Sequence, residues 1–330
     1  MRLLITGGCG FVGSNLIRFI LHARPGWSVV NLDALRYSAN PANLADLRNE
    51  PRYRFVRGDV ADRAVVEPLI GEVDAVIHAA AESHVDRSII DSQPFIHSNV
   101  VGTQALLDAL RAVGGDRRLV HVSTDEVYGS LPLGRPDLRF SESAPLAPNS
   151  PYAASKAASD CLVRAACHTF GLDAVITRCS NNFGPFQFPE KIIPLFVTNL
   201  IDGLRVPLYG DGLHVRDWLH VEDHAEALLA VLERGRGGEV YNIGADNERS
   251  NLDLTHALLD CMDLDASMIE HVPDRLGHDR RYAIDAERMA DQVGWRPSRS
   301  AWPRALQRTV RWYRDHERWW RPLKERAALR

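Results

Sequence analysis

The chain has few cysteines, and those it has do not pair. Cys9, Cys161, Cys167, Cys179 and Cys261 are odd in number and follow no paired spacing. No disulfide framework is implied, and a reducing, cytoplasmic setting is expected. Long apolar runs are absent too: none approaches the ~18 residues of a membrane span, and Leu3-Leu4-Ile5 is too short for a signal peptide. No membrane partner is expected. Basic excess is missing, since 39 Lys+Arg stand against 43 Asp+Glu with the signs mixed, which excludes a field for nucleic acid. The Arg-rich end (Arg318, Arg321, Lys324, Arg326, Arg330) is broken by acids and aromatics and reads as a solvated helix face or tail. Repeats and low-complexity segments are lacking. His78 and His84 have neither the i, i+4 spacing nor the glutamate of a zinc helix, so no metal is expected.

What remains is ordinary globular material: 45% hydrophobic, 25% charged, and 330 residues long. That length exceeds a single core and predicts one large domain with a smaller companion. Apolar runs at Met1 to Thr6, Val29 to Leu32, Phe55 to Val56, Ala75 to His78, Leu119 to Val122 and Ala174 to Arg178 read as strands. Helical patterns lie between them, through about Leu21, near Ala64 to Ile70, at Asn99 to Ala112 and at Ala153 to Phe170. This alternation indicates an α/β fold with a doubly wound parallel sheet of Rossmann type. After Arg178 the character changes, with Pro185, Pro189, Pro194 and Pro207 breaking the chain and aromatics between them. Val221 to Leu232 reads as a helix, Glu239 to Ile243 as a strand, and the rest as helices and loops.

The first strand runs into Gly7-Gly8-Cys9-Gly10-Phe11-Val12-Gly13. Glycines at a helix start let a pyrophosphate approach backbone amides at the positive helix end. The second strand ends in Asp33, roughly 20 residues on, where a carboxylate can accept both adenosine ribose hydroxyls. That predicts NAD rather than NADP, whose extra phosphate Asp33 would repel. Arg36 is the nearby group that could meet a phosphate instead. Asp59 and Val60 fall where adenine could be met, and Ala79, Ala80 and Ala81 leave room for a dinucleotide across the sheet edge.

Ser123-Thr124-Asp125-Glu126-Val127-Tyr128-Gly129 sets two carboxylates just past a strand end, where an open parallel sheet presents residues to a ligand. They read as an acid and a base. Tyr152-Ala153-Ala154-Ser155-Lys156 puts a phenol and an ammonium on one helical face. A neighbouring positive charge favours the phenolate, so Tyr152 is expected to act as a base at neutral pH. Alone, either pair also reads as a solvated turn or surface decoration; together, behind a nucleotide-binding signature, they mark a site.

From end to end the chain resembles the dTDP-glucose 4,6-dehydratases of the extended short-chain dehydrogenase/reductase family. The likeness rests on Thr6-Gly7-Gly8-x-Gly10-Phe11-x-Gly13, Ala80 to Ser88, the Ser-Thr-Asp-Glu-Val-Tyr-Gly run, Tyr152 to Lys156, Arg178 to Asn182, Phe188 to Lys191, Arg216-Asp217-Trp218 and Gly277 to Tyr282. The resemblance implies active-site roles for Thr124, Asp125, Glu126, Tyr152 and Lys156. It implies NAD contacts at Gly7 and Gly10 to Gly13, at Asp33, Ala34, Leu35 and Arg36, at Asp59 and Val60, from Ala79 to Ser83, and at Ser98, Tyr152, Lys156 and Asn182. Nucleotide-sugar contacts are implied at Ser83, Thr124, Asn181, Lys191, Ile192, Pro207, Leu208, Tyr209, Arg216, Asn251, Asp274, Arg275 and His278. Arg216, Arg275 and Asn251 would hold the diphosphate; without the resemblance, Arg216 reads as a surface ion-pair residue. Cys9, Leu276 and Ser98 depart from the family's usual alanine, proline and threonine.

An NAD-binding domain is then expected over 1–180, with a returning segment near 215–245. A smaller mixed α/β domain that binds the nucleotide sugar is expected over 181–214 and 246–330. The implied reaction oxidises C4 of dTDP-glucose, eliminates water across C5 and C6, and reduces C6. The resemblance also implies a homodimer through paired helices. A sister nucleotide-sugar 4-epimerase or decarboxylase would share Tyr152, Lys156 and the glycines but needs no adjacent acid-base pair. A non-catalytic NAD-binding interaction module would be expected to have lost the tyrosine or the lysine.

Overall fold

The computed structural model describes residues 1–328; Arg330, and with it the end of the expected second unit, lies outside the described residues. The chain begins β1 (Arg2–Thr6), α1 (Phe11–Ala23), β2 (Ser28–Asp33), β3 (Tyr53–Arg57), α2 (Arg63–Gly71) and β4 (Ala75–His78). Next come α3 (Val85–Ile90), α4 (Gln93–Phe95), α5 (Gly102–Val113), β5 (Arg118–Thr124), α6 (Pro151–Phe170) and β6 (Ala174–Cys179). The last part holds β7 (Asn181–Phe183), α7 (Ile192–Ile201), β8 (Val206–Tyr209), β9 (Val215–His220), α8 (Val221–Arg234), β10 (Val240–Ile243), β11 (Glu248–Ser250), α9 (Asn251–Asp260), β12 (Ile269–Val272), α10 (Arg304–Asp315) and α11 (Glu317–Ala328).

Seven strands form a parallel sheet in the order β10-β6-β5-β4-β1-β2-β3. The order reverses between β1 and β4, the topological switch where such sheets take a ligand beyond their strand ends. Both faces are covered over the inner strands, which are apolar at successive positions, whereas the edge strand β3 mixes apolar with charged residues and is largely exposed. Leu3 and Ile5 pack with Leu16, Ile17 and the α8 residues Leu228 and Val231. Leu4, between them, points to the other face with Val66, Leu106 and Val163.

Two smaller sheets follow, β11-β9-β7 and β12-β8. Their core joins Phe196, Trp218, Leu254, Leu306, Tyr313 and Trp320. Within the segment 215–245, β9 belongs to the small sheet, while α8 and β10 lie with the large one.

Three local readings change. The helix expected over Asn99 to Ala112 is preceded by two short helices and a π-helical stretch at Ile96–Val101, and it becomes regular only from Gly102. A Cβ at Gly102 would stand 2.6 Å from a Val60 methyl, so any larger residue would have to displace that side chain. Pro194 does not break the chain: it is the third residue of α7, in the first turn, where a missing N–H costs no helical hydrogen bond. The tail expected to be helices and loops also contains β11 and β12, and the proline-rich stretch hides β7 and β8, all four residues or shorter. Strands that short carry too few positions for a period-two pattern. Among the described residues no helix is long and apolar enough to cross a membrane.

Candidate active site

One cavity runs along the C-terminal ends of the central strands. At one end the glycine turn after β1 is packed so closely that side chains are excluded: a Cβ at Gly13 would sit 2.3 Å from the Gly7 carbonyl oxygen, and one at Gly7 would sit 2.6 Å from Ala80 Cα. Gly7 also has a φ of +73°, in the left-handed region that glycine tolerates. Gly10, Phe11 and Val12 line the cavity beside Ala79, Ala80 and Ala81.

Asp33 ends β2 with its carboxylate buried. Its Oδ2 accepts from the Cys9 N–H at 2.8 Å and its Oδ1 from the Leu35 N–H at 2.7 Å. Burial raises its pKa, and the two amides oppose that rise. Both oxygens keep lone pairs for ribose hydroxyls. Arg36, the candidate phosphate partner, is instead paired with Asp59 at 2.6 Å, and His97 stands 3.1 Å from the same carboxylate oxygen. Ala34, Asp59, Val60, Ser83 and Ser98 also line the cavity. Ser98 Oγ, Ser123 Oγ and Asn181 Oδ1 are buried there without hydrogen-bond partners among the described residues, as is Asp125 Oδ2. Buried polar atoms without partners are costly. A polar ligand such as a dinucleotide fits this lining.

The chemistry-bearing residues meet at the other end. β5 delivers Thr124, and a 3₁₀ turn over Asp125–Tyr128 follows at once. Thr124 Oγ1 accepts from the Glu126 N–H at 3.2 Å and donates to Asp125 Oδ1 at 3.3 Å. Ser150 caps α6 by accepting from the Ala153 N–H at 3.1 Å, with Pro151 in the first turn, so the helix start is sharply placed. Tyr152 and Lys156 then face the cavity one helical turn apart.

The electrostatics differ from expectation at Tyr152. Burial pushes the phenol well above its ordinary pKa, and the Glu126 and Asp125 charges add to the rise. The Lys156 ammonium does not bond the phenol; it donates to the Val122 carbonyl oxygen at 2.8 Å. Burial lowers Lys156 to about 8, opposed chiefly by Asp160 one turn along. Asp160 is itself held by Arg178 at 2.9 Å. Burial pushes Asp125 well up, with Glu126 and Asp217 adding like-charge repulsion. Glu126 is raised by burial too, but Arg275, Arg216 and Lys191 pull it back.

The residues expected to meet a nucleotide sugar divide. Asn181, Asn182 and Lys191 line the cavity, and Lys191 Nζ donates to the Ser83 carbonyl oxygen at 2.7 Å. Ile192 begins α7 and Asn251 begins α9. Pro207 and Tyr209 lie on β8, but Leu208 between them is fully buried, so only its backbone can face a ligand. Asp274 bridges two stacked imidazoles, 2.6 Å from His278 and 3.2 Å from His214. Arg275 stands 3.8 Å from Asp86. Arg216 is not a surface ion-pair residue: it is 5% exposed, donates to the Val215 and Asp279 carbonyl oxygens, and lies over the Tyr282 ring at 4.2 Å. Among the described residues it has no carboxylate partner, which leaves its charge for a ligand.

Glu190 and Asp160 escaped the sequence reading. Glu190 accepts from Tyr37 at 2.9 Å and Arg87 at 3.1 Å, tying the loop after β2 to α3 and to the turn before α7. It sits beside Lys191 in the Phe-Pro-Glu-Lys run, which was the available signal. Asp160 had one as well, because four residues beyond Lys156 puts it on the same helical face.

A sequence model of the family described as GDP-mannose 4,6 dehydratase matches residues 4–302. The dTDP-glucose 4,6-dehydratase of Streptomyces antibioticus is 51% identical, over 99% of this chain and 97% of that protein. The one from an Actinoplanes species is 52% identical, over 97% and 100%. The solved structure of DesIV, a dTDP-glucose 4,6-dehydratase from Streptomyces venezuelae with NAD and TYD bound, superposes with a TM-score of 0.94 at 50% identity, covering 98% of this chain and 100% of that one. A doubly wound sheet, a buried carboxylate at Asp33 lining the cavity at the end of β2, and Thr124, Asp125, Glu126, Tyr152 and Lys156 gathered in the same cavity agree with these likenesses, and the chain belongs to the dTDP-glucose 4,6-dehydratase family of extended short-chain dehydrogenase/reductases.

Proposed function

We propose that this chain converts dTDP-glucose to dTDP-4-keto-6-deoxyglucose with NAD as a retained cofactor. One observation carries the reading: two adjacent carboxyl groups of unlike environment share a cavity with the Tyr152-Lys156 pair. An epimerase or decarboxylase has no use for that acid-base pair, and a binding module has none for the tyrosine and lysine.

Bound NAD supplies the hydride acceptor that later serves as donor. Gly7, Gly10 to Gly13 and the α1 start take its pyrophosphate, Asp33 its adenosine ribose, and Ala79 to Ala81, Ser98 and Asn182 its remaining length. Tyr152 removes the C4 hydroxyl proton while Thr124 orients that hydroxyl and Lys156 contributes positive charge. The resulting ketone acidifies the C5 hydrogen, which Glu126 removes. Asp125, kept protonated by burial and by its neighbour's charge, protonates the departing C6 hydroxyl. Glu126 then returns a proton to C5. Arg216, Arg275 and Asn251 hold the diphosphate, while Lys191, Ile192 and Pro207 to Tyr209 take the thymidine side.

The protein works as a cytoplasmic homodimer. Ile90 on α3 is 86% exposed, and Ile89, Ile96 and Val101 add apolar surface nearby. A patch of that kind is covered by a partner in many oligomers. The reaction is tested by incubating the protein with dTDP-glucose and weighing the product: a loss of one water supports the reading, and an unchanged mass with altered C4 configuration would replace it with epimerisation.

A further inference from the structure

His224 lines the cavity, yet neither the sequence motifs nor the proposed chemistry uses it. It is the fourth residue of α8, fully buried, and a neighbour of Asn182 on the cavity wall. Its Nδ1 lies 2.9 Å from Asn182 Oδ1, while its Nε2 is buried with no hydrogen-bond partner among the described residues. An unpaired buried polar atom is costly, so one on a residue that lines a cavity calls for a partner brought by a ligand.

The surrounding bonds fix what kind of partner that is. Asn182 Nδ2 donates to the Ser180 carbonyl oxygen at 2.9 Å and to Cys179 Sγ at 3.4 Å, so Oδ1 is the atom that faces His224. The Asn182 carbonyl oxygen also accepts from Gln187 Nε2 at 2.9 Å, which holds the backbone in place. An amide oxygen only accepts, so the imidazole hydrogen sits on Nδ1. Burial lowers the imidazole pKa to about 3, so no second proton is present at neutral pH. Nε2 is therefore a bare lone pair. It can take an N–H or an O–H, and it repels a phosphate oxygen.

Its place in the fold selects the donor. Cys179 pairs in register with Thr124, so the end of β6, with Asn182 just beyond it, stands where Thr124, Tyr152 and Lys156 meet. Hydride transfer at C4 requires the nicotinamide at that end. The helix α6, which carries Tyr152 and Lys156, and α8, which carries His224, cover opposite faces of the large sheet. Ribose hydroxyls both donate and accept, and the Lys156 ammonium keeps hydrogens for them beyond the one given to Val122. The carboxamide N–H can only donate, and it needs an acceptor. We infer that His224 Nε2 accepts a hydrogen bond from the carboxamide N–H of the nicotinamide, with Asn182 as the positioning residue that holds the required tautomer. A bond to that off-axis substituent fixes the rotation of the ring, and with it the face presented to the sugar.

This inference rests on the reading of the cavity as an NAD site, and the test separates the two. Wild-type holoenzyme, His224→Phe and His224→Gln are each incubated with a large, equal excess of free NAD and of its acetylpyridine analogue, whose acetyl group keeps the carbonyl oxygen but has no N–H. Bound cofactor is then isolated with the protein, released by denaturation, and the ratio of the two is counted by mass. Wild type should favour NAD on the order of 10-fold, the weight of one hydrogen bond to a buried acceptor. His224→Phe should lose that preference, and His224→Gln, whose Oε1 can accept where Nε2 did, should keep it. Circular dichroism establishes that the variants are folded. A wild-type ratio in folded His224→Phe would place the carboxamide on another acceptor and overturn the inference. Equal loading by the wild type would overturn it without any variant. If the wild type carries and takes up neither dinucleotide, it is the NAD reading that has failed.

Discussion

Asp125 and Glu126 are consecutive in the chain and burial raises both carboxyls, yet Arg275, Arg216 and Lys191 oppose the rise at Glu126 while the Glu126 and Asp217 charges add to it at Asp125. Of two carboxyls on one 3₁₀ turn, the surroundings therefore differ in the sense that the proposed roles of Glu126 as base and Asp125 as acid require.

The two should therefore fail differently when altered. Glu126→Gln leaves Tyr152 and Lys156 in place, so C4 is oxidised and NADH absorbance builds up without loss of water. Asp125→Asn leaves Glu126 able to exchange the C5 proton, so deuterium uptake from heavy water outpaces dehydration. Each change should cost ~10²–10⁴-fold in turnover. Near-full dehydration by Glu126→Gln would remove the acid-base pair from the mechanism.

Alkaline pH should switch the enzyme off through Lys156. Its ammonium is charged below a pKa of about 8, so kcat/KM is full on the acid side and falls as pH rises through that value. Asp160 holds this pKa up, so Asp160→Asn should move the alkaline limb to lower pH. The same change leaves Arg178 buried and unpaired, a loss on the order of 3–5 kcal/mol, so thermal melting should accompany the pH profile. A limb that stays in place in folded Asp160→Asn would show that another group sets it.

Asp33→Ala should weaken retention of NAD and relax rejection of NADP. The purified wild-type protein should carry NAD. Cofactor released by denaturation measures both effects, and unaltered NAD content in the variant would reduce Asp33 to a turn residue bonded to Cys9 and Leu35.

dTDP-glucose should outrun UDP-glucose, because Lys191, Ile192 and Pro207 to Tyr209 are assigned to the thymidine side. Arg216→Met should raise KM for the dTDP sugar at least ~10-fold, as loss of a charge-assisted diphosphate contact requires. Competition between the two sugars in one reaction, followed by mass, decides the preference; equal turnover would refute it.

Light scattering at micromolar concentration should give the mass of a dimer, and Ile90→Asp should shift it toward the monomer with the fold intact by circular dichroism. A monomeric wild-type protein would leave the apolar surface around Ile90 unexplained.

The sequence alone determined the parts whose information is local. Apolar runs marked the strands of the large sheet, glycine spacing marked the turn at Gly7 to Gly13, and the two short motifs marked Thr124, Asp125, Glu126, Tyr152 and Lys156. The short strands β7, β8, β11 and β12 were not legible, because three or four residues show no period and pairing partners lie far away in the chain. Tertiary structure also decided the charge states. The spacing of Tyr152 and Lys156 implied a lowered phenol pKa, but a pKa depends on burial and on every nearby charge: the fold buries the phenol beside Glu126 and turns Lys156 toward the Val122 carbonyl. Arg216 likewise looked like a surface charge until packing over Tyr282 enclosed it. Neighbours in sequence fix which groups are present; neighbours in space fix which of them carry charge.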